Sequence, residues 1–339
     1  MNRNTRILCD SCLSEIMNIV FMGTPAFAVP SLQKLHEAGH NISLVVTQPD
    51  RPYGRGKKIK KSEVKEKAEE LGLEIFQPSK VKHEDAVAKI KALNPDFIIV
   101  VAYGQILNKE ILNIPKFGCI NAHASLLPRL RGAAPINWSI INGDKISGVT
   151  TMFMDEGLDT GDMLLKSEVE ITESMTAGEL HDVLSEVGAK LLIETIDRID
   201  DIERIKQDNS ESSYAPMLKK EMSLINWKDS AQNIHNMIRG LNPNQLAYFP
   251  YLDGATVKVH KTSIVDSFNG NSNYEAGTVL EASKNGIFVK AGDDKVILIE
   301  EFQMPGKNKV STKDYLRGNT FNEKIRLDYE YFKTINDNF

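Results

Sequence analysis

Cysteine is scarce in this chain. The three present among 339 residues, Cys9, Cys12 and Cys119, are too few for a disulfide framework and point to a reduced compartment, the cytoplasm. Cys9-x-x-Cys12 meets no second Cys/His pair at a suitable spacing, so it reads as two ordinary thiols rather than half a zinc site. No apolar run approaches the roughly 20 residues of a membrane span, and no membrane partner is expected. Residues 1–16 lack the basic start, apolar centre and small-residue cleavage site of a secretory signal. The dinucleotide fingerprint G-x-G-x-x-G is missing as well. The first apolar run ends in Gly23-Thr24-Pro25, and the second ends in Val46-Thr47-Gln48 without an acidic residue, which argues against a nicotinamide-dependent oxidoreductase. A net charge of −5 excludes a surface coated in nucleic acid but leaves room for one concentrated cationic patch.

What remains is an ordinary globular composition, 41% hydrophobic and 26% charged, long enough for two domains with separate cores. Met17 to Met22 is an apolar run broken only by Asn18, as in a strand buried on both faces. A helix follows with Ala28, Val29, Leu32 and Leu35 on one stripe, then a strand from Ile42 to Val46. Ala86, Val87, Ile90 and Leu93 mark another helix, and Phe97 to Ala102 another strand. This alternation predicts a doubly wound, Rossmann-like α/β parallel sheet with ligands at the carboxyl ends of its strands. Thr176-x-x-Glu179 is a capping box for a helix whose inner face is expected to carry Leu180, Val183, Leu184, Val187 and Leu191. A polar stretch around 199–218 reads as a linker. Beyond it, a helix near Asn233 to Ile238 precedes short strand-like segments at Val257/Val259, Val279, Ile287/Val289 and Val296/Leu298, separated by turns such as Asn285-Gly286.

The chemistry is concentrated in Asn121-Ala122-His123-Ala124-Ser125-Leu126-Leu127-Pro128 and in Leu158-Asp159-Thr160-Gly161-Asp162. A short strand from Cys119 to Ala122 delivers Asn121 and His123 to one side, because side chains at i and i+2 share a face. An amide donor, an imidazole and a carboxylate suffice to stabilise an oxyanion and move protons in acyl transfer, without a serine or cysteine nucleophile and without a metal. Asp159 is expected to stabilise the His123 imidazolium and to take part in proton transfer. A second informative stretch, Pro49 to Lys61, carries Arg51, Arg55, Lys57, Lys58, Lys60 and Lys61, with no acidic residue after Asp50. With Gly54 and Gly56 it reads as a mobile cationic loop after strand 2, beside the expected active site, suited to a polyanionic substrate.

From about Met17 to the C-terminus the chain resembles the formyltransferases that use 10-formyltetrahydrofolate, most closely those that act on methionyl-tRNA. Asn121, His123 and Asp159 match the catalytic positions of that family one by one. The resemblance implies that Ser125, Leu126, Leu127 and Pro128 lie beside the folate. Val101 to Leu107, with Tyr103, Gly104, Ile106 and Leu107, resembles a wall of the pterin pocket; simple core packing is the alternative role for Leu126, Leu127, Ile106 and Leu107. Arg129 and Arg131 flank this segment, either as contacts to carboxylates or phosphates or as solvated charge. Arg55-Gly56-Lys57-Lys58 matches a loop that enters the acceptor stem of initiator methionyl-tRNA, and Lys307 and Lys309 are local basic spots in the second domain. Ile225-Asn226-Trp227 and Ile238 to Pro243 resemble the second-domain signature, with Asn244-Gln245-Leu246 where the family usually has an aromatic residue and a second proline.

The expected organisation is thus an N-terminal extension over 1–16, with Met17 as the natural start, a catalytic domain over 17–202, a linker over 203–221 and an OB-like β-barrel domain over 222–339. The family implies a monomer. Three alternatives compete. A glycinamide ribonucleotide formyltransferase would be a single domain with a glycine-rich phosphate loop where Gly23-Thr24-Pro25-Ala26 stands. A formyltransferase for a nucleotide-linked amino sugar would lack the basic loop. A non-catalytic RNA-binding module would have no need of all three polar residues.

Overall fold

The computed structural model describes residues 15–53, 58–252, 255–266, 268 and 273–328. Residues 1–14 with Cys9 and Cys12, and Arg55 and Lys57 of the basic stretch, lie outside the described residues. Among the described residues no helix is long and apolar enough to cross a membrane. The chain divides into two compact units: the described parts of Met1–His123, Val149–Ser167 and Ser185–Gln207, and those of Ala124–Gly148, Glu168–Leu184 and Asp208–Phe339.

In the first half of the chain β1 (Asn18–Gly23) leads through a turn to α1 (Val29–Glu37) and β2 (Asn41–Val46). A short hairpin, β3 (Arg51–Tyr53) and β4 (Lys58–Lys60), is followed by α2 (Glu63–Glu70), β5 (Ile75–Phe76), α3 (Glu84–Ala92), β6 (Phe97–Val101), α4 (Lys109–Leu112) and β7 (Gly118–His123). Then come β8 (Arg131–Gly132), α5 (Pro135–Ile141), β9 (Ile146–Phe153), β10 (Met163–Glu170) and α6 (Ala177–Asp197). The main sheet has the order β10-β9-β7-β6-β1-β2-β5. Its β1, β2, β5, β6 and β7 pairings are parallel, and Ile19, Val20, Phe21 and Met22 at its centre have no exposed surface, as a sheet covered on both faces requires. Beyond these strands the sheet is mixed. β9 runs antiparallel to β7, with His123 opposite Thr150 and Asn121 opposite Met152.

α6 opens on the expected capping box: the Thr176 backbone N–H donates to Glu179 Oε2 at 2.8 Å, and the Glu179 N–H donates to Thr176 Oγ1 at 3.3 Å. Leu180, Leu184 and Leu191 are buried as predicted, but Val183 is 40% exposed and Val187 only half-buried. Ser185, Ala189 and Leu192 are buried in their place. Gly188 lies where a Cβ would stand 3.4 Å from Val149, so the small residues, not Val183, define the packed stripe.

In the second half, β11 (Tyr214–Ala215) pairs with β8, so part of the expected linker is strand. α7 (Ala231–Leu241) precedes β12 (Tyr248–Tyr251), β13 (Ala255–Val265), β14 (Val279–Ser283), β15 (Gly286–Lys290), β16 (Val296–Gln303), β17 (Val310–Ser311) and α8 (Thr312–Tyr315). These strands form an OB-like antiparallel sheet in the order β12-β13-β16-β15-β14, with β17 on β16. Its core gathers Trp227, Phe249, Ile297, Ile299 and Phe302, and Trp227 Nε1 donates to the Leu327 carbonyl at 2.8 Å.

One face of α7 is polar yet buried. Arg239 is satisfied by Asn236 Oδ1 and by the carbonyls of Thr172 and Met175. His235 Nε2 lies 3.0 Å from the Glu173 carbonyl and Nδ1 lies 2.9 Å from Thr262 Oγ1. A carbonyl only accepts, so Nε2 carries the proton and Nδ1 accepts from the hydroxyl, which is the neutral tautomer. Burial, with the nearby Arg239, moves the His235 pKa below 6.5 against the pull of Glu173 and Glu300. The unfolded chain therefore takes up this proton first as pH falls. Stability from this group is complete above about pH 6.5 and is lost as pH drops toward the lowered value. The thermal midpoint should fall as pH is lowered from about 6.5, and His235→Gln should reduce that dependence. An undiminished acid dependence in the variant would contradict this.

Candidate active site

The carboxyl ends of three central strands are tied together by polar contacts. Gly23 closes β1 at a point where a Cβ would come within 2.8 Å of the Ala28 side chain and 3.1 Å of the Val101 carbonyl, so the chain passes only as glycine. The next residue, Thr24, donates through Oγ1 to the Tyr103 carbonyl at 2.8 Å, and Gln48 Nε2 donates to the same oxygen at 3.2 Å. The loop after β6 is thereby fixed to the ends of β1 and β2, at the edge where parallel α/β sheets bind ligands. Ala102 and Gly104 in this loop have φ of +47° and +86°. Tyr103 and Leu107 are buried, and Gly104 is exposed. Burial raises the Tyr103 phenol well above its usual pKa, and its hydroxyl has no hydrogen-bond partner among the described residues. Ile106 is 82% exposed, so core packing does not explain it: it offers an apolar side chain to whatever lies outside the loop.

β7 carries Asn121 and His123 on one face, as the two-residue period requires. His123 is buried and Asn121 half-buried. Asp159 returns from the loop after β9 and places Oδ2 3.7 Å from His123 Nδ1, with both side chains about nine-tenths buried. That separation is ion-pair range rather than hydrogen-bond length. Asp159 has φ +53°, in the left-handed region, which Asp tolerates better than most residues but which is uncommon for any side chain other than glycine. The loop is held by neighbours. The Phe153 N–H donates to the Asp162 carbonyl at 2.9 Å, and Asp155 Oδ1 accepts from the Gly157 N–H and from Thr160 Oγ1. Gly161 packs so closely on Phe153 that a Cβ would stand 1.8 Å from its carbonyl oxygen. Cys119, on the same strand as His123, is buried, and its thiol is pushed up to about 12. It is therefore an inert core residue, not a nucleophile.

The described ends of the basic stretch pair as two short antiparallel strands. Arg51 pairs with Lys60, Pro52 with Ile59 and Tyr53 with Lys58. Asp50 anchors its root, accepting from Lys65 Nζ at 2.6 Å and Gln77 Nε2 at 2.7 Å, and the Lys65 contact holds its carboxyl below the usual carboxylate range. Lys60 and Lys61 are ion-paired to Glu63 and Glu69, whereas no carboxylate among the described residues pairs with Arg51, which is exposed. A cavity of about 390 Å³ is lined by Thr24, Gln48, Arg51, Lys60, Ser62 and Gly104, among others. Two stretches singled out in the sequence for different ligands, Gly104 and Arg51, thus meet in one cavity of ligand size.

In the segment that follows His123, Ser125 is buried and its Oγ donates to the Arg129 carbonyl at 2.7 Å. Leu127 and Pro128 are buried and Leu126 half-buried. Arg129 pairs with Asp144 at 2.9 Å and Arg131 donates to Asn209 Oδ1 at 3.0 Å. Lys309 pairs with Glu301 at 2.8 Å, while Lys307 is exposed in the β16–β17 turn. Among the described residues no group of three or more His, Cys, Asp or Glu side chains is placed to hold a metal ion. Three polar residues were not evident in the sequence: Thr24 and Gln48, which pin the loop after β6, and Gln207, which is 6% exposed and donates to the carbonyls of Asp159 and Gly161.

Comparison with known proteins identifies the family of the chain. Residues 17–196 match the formyl transferase family and residues 217–320 its C-terminal domain. The methionyl-tRNA formyltransferase of Clostridium perfringens strain SM101 is 54% identical over 308 residues, 90% of this chain and 97% of that protein. The enzyme of the same name from Clostridioides difficile strain 630 is 53% identical over 313 residues, 92% of this chain and all of that protein. Among solved structures, an N-formyltransferase from Helicobacter canadensis in complex with folinic acid and dTDP-3-aminofucose aligns with TM-score 0.61 at 21% identity, covering 86% of this chain and 100% of that one. HypX from Aquifex aeolicus in complex with tetrahydrofolic acid aligns with TM-score 0.59 at 16% identity, covering 89% of this chain and 47% of that one. The structural likenesses carry the fold, and the curated relatives carry more: this chain belongs to the formyl transferase family, among the methionyl-tRNA formyltransferases.

Proposed function

We propose that this chain transfers the formyl group of 10-formyltetrahydrofolate to the free amino group of methionyl initiator tRNA, for translation initiation. The observation that carries the reading is the buried His123–Asp159 pair at 3.7 Å beside Asn121. In the reaction the amine nitrogen bonds to the formyl carbon, the bond from that carbon to the donor nitrogen breaks, and one proton passes from the amine to the donor nitrogen. Asn121 donates its side-chain N–H to the formyl oxygen as negative charge develops there. His123 adds a second donor or relays the proton, and Asp159 orients the imidazole and offsets the positive charge that builds on it. Their separation closes to about 2.6–3.2 Å in the reacting complex.

The apolar Ile106 beside exposed Gly104 suits one wall for a flat pterin, and Tyr103 and Leu107 hold that wall in place. Ser125, Leu126, Leu127 and Pro128 keep the folate-adjacent role that the family resemblance gives them. Arg51, with Arg55, Lys57 and Lys58 of the same hairpin, is the contact to the tRNA backbone, and Lys307 and Lys309 are further tRNA contacts in the second domain. Residues 17–202 form the catalytic domain, 203–221 the linker and 222–339 the tRNA-binding domain. The enzyme works in the cytoplasm as a monomer.

Two sets of variants test these assignments. Asn121→Ala, His123→Ala and Asp159→Ala should each remain folded and lose about 10²–10³-fold in turnover of methionyl initiator tRNA, with non-additive losses in combination. A wild-type rate for folded His123→Ala would remove it from the mechanism. Replacing Arg51, Arg55, Lys57 and Lys58 by alanine should leave stability nearly unchanged, as for substitutions outside a packed core. It should weaken tRNA binding and flatten its log–log salt dependence by about 0.7–0.9 for each phosphate that is no longer neutralised. Titration of the variant with tRNA at several salt concentrations reads this directly, and an unchanged slope would make the hairpin a solvated surface.

A further inference from the structure

The polar stretch after α6 contains a side chain that belongs to the chemistry of the site. Gln207 is 6% exposed although its neighbours Lys206 and Asp208 are exposed. Its Nε2 donates to the Asp159 carbonyl at 2.8 Å and to the Gly161 carbonyl at 2.7 Å, and also lies 3.9 Å from Met152 Sδ on β9. The segment is brought there by a two-way backbone bridge, Met163 N–H to the Ile205 carbonyl at 2.8 Å and Ile205 N–H to the Met163 carbonyl at 2.9 Å. Both N–H bonds of one amide are thus spent on two carbonyls of the loop that presents Asp159. One of those carbonyls belongs to Asp159 itself, whose φ is +53°.

We infer that Gln207 is a positioning residue for formyl transfer, which fixes the peptide of Asp159 so that its carboxylate faces His123. The inference rests on the role proposed above for Asp159. Few side chains can do this. The acceptors are two carbonyl oxygens, so the residue must offer two donors, and burial disfavours a charge. Glutamate, of the same shape, would set lone pairs against lone pairs. Asp155 on Gly157 and Thr160 and the Phe153–Asp162 backbone hydrogen bond shape the flanks of the same loop. Removing Gln207 leaves the loop in place but frees the rotation that aims the carboxylate.

The test is a double-mutant cycle in the full chain. Gln207→Ala deletes both donors and admits water, and Gln207→Met removes the donors while keeping the buried volume; thermal unfolding identifies the variants that remain folded. Each is assayed for formylation of methionyl initiator tRNA from 10-formyltetrahydrofolate, alone and combined with Asp159→Asn. Gln207 variants are expected to lose about 10–10²-fold in kcat, the scale of an ångström-level misplacement, with both KM values unchanged. In the Asp159→Asn background the same substitutions should cost little more. Wild-type kcat in a folded Gln207 variant, with turnover lost in Asp159→Asn, overturns the positioning role and leaves the reading of Asp159 standing. Equal losses in both backgrounds also overturn it, because Gln207 would then act independently of Asp159. Full turnover in Asp159→Asn alone overturns the reading of Asp159 and the positioning role with it.

Discussion

The buried imidazole of His123 at the end of β7 is met by a carboxylate from a distant loop, and much of this fold can be understood as the means of supplying it. His123 ends β7 at nearly complete burial, and Asp159 reaches it only through a left-handed backbone, a glycine pressed against the Phe153 carbonyl and a loop fastened at several points. A solvated carboxylate would be screened and free to rotate; one that is mostly buried acts in a lower effective dielectric, where its charge counts for more. The unusual backbone at Asp159 is the local cost, of the kind that clusters at functional sites. The packed sheet beneath, with Ile19, Val20, Phe21 and Met22 wholly buried, supplies the rigidity to sustain it.

The same edge of the sheet carries two chemically different surfaces. The loop after β6 is pinned by neutral hydrogen bonds from Thr24 and Gln48 and presents the apolar Ile106. The adjacent hairpin is cationic, yet most of its described charge is balanced locally: Lys60 and Lys61 by Glu63 and Glu69, and Asp50 by Lys65. Arg51 is the charge left facing the cavity. Local balancing fastens the hairpin root while Arg51 stays exposed. It also reconciles a chain of net charge −5 with a nucleic-acid substrate, since the attraction needs only a patch.

Much of this was legible in the sequence because it depends on period and residue type. The two-residue spacing of Asn121 and His123 and the Thr176-x-x-Glu179 capping box each follow from local geometry, and the structure has them as expected. What escaped was tertiary. The antiparallel direction of β9 is set by how the chain returns after α5, which no hydrophobic pattern encodes. Val183 is apolar and correctly spaced but exposed, because the small residues Gly188 and Ala189 decide which side of α6 packs. Ile106 could be read either as pocket wall or as core, because its type says nothing about the turn that lifts it outward. Gln207 was hidden in a stretch without periodicity, where a buried glutamine and a solvated one look the same. Asp159 could be singled out, but the residue that aims it could not.

The most direct measurement is a competition between acceptors. The purified chain is supplied with 10-formyltetrahydrofolate, methionyl initiator tRNA and a nucleotide-linked amino sugar, and the formylated product is identified by mass. Formyl on the methionyl amino group of the tRNA, with the sugar untouched, is the expected result. Formylation of the sugar in place of the tRNA, or of neither, would contradict it.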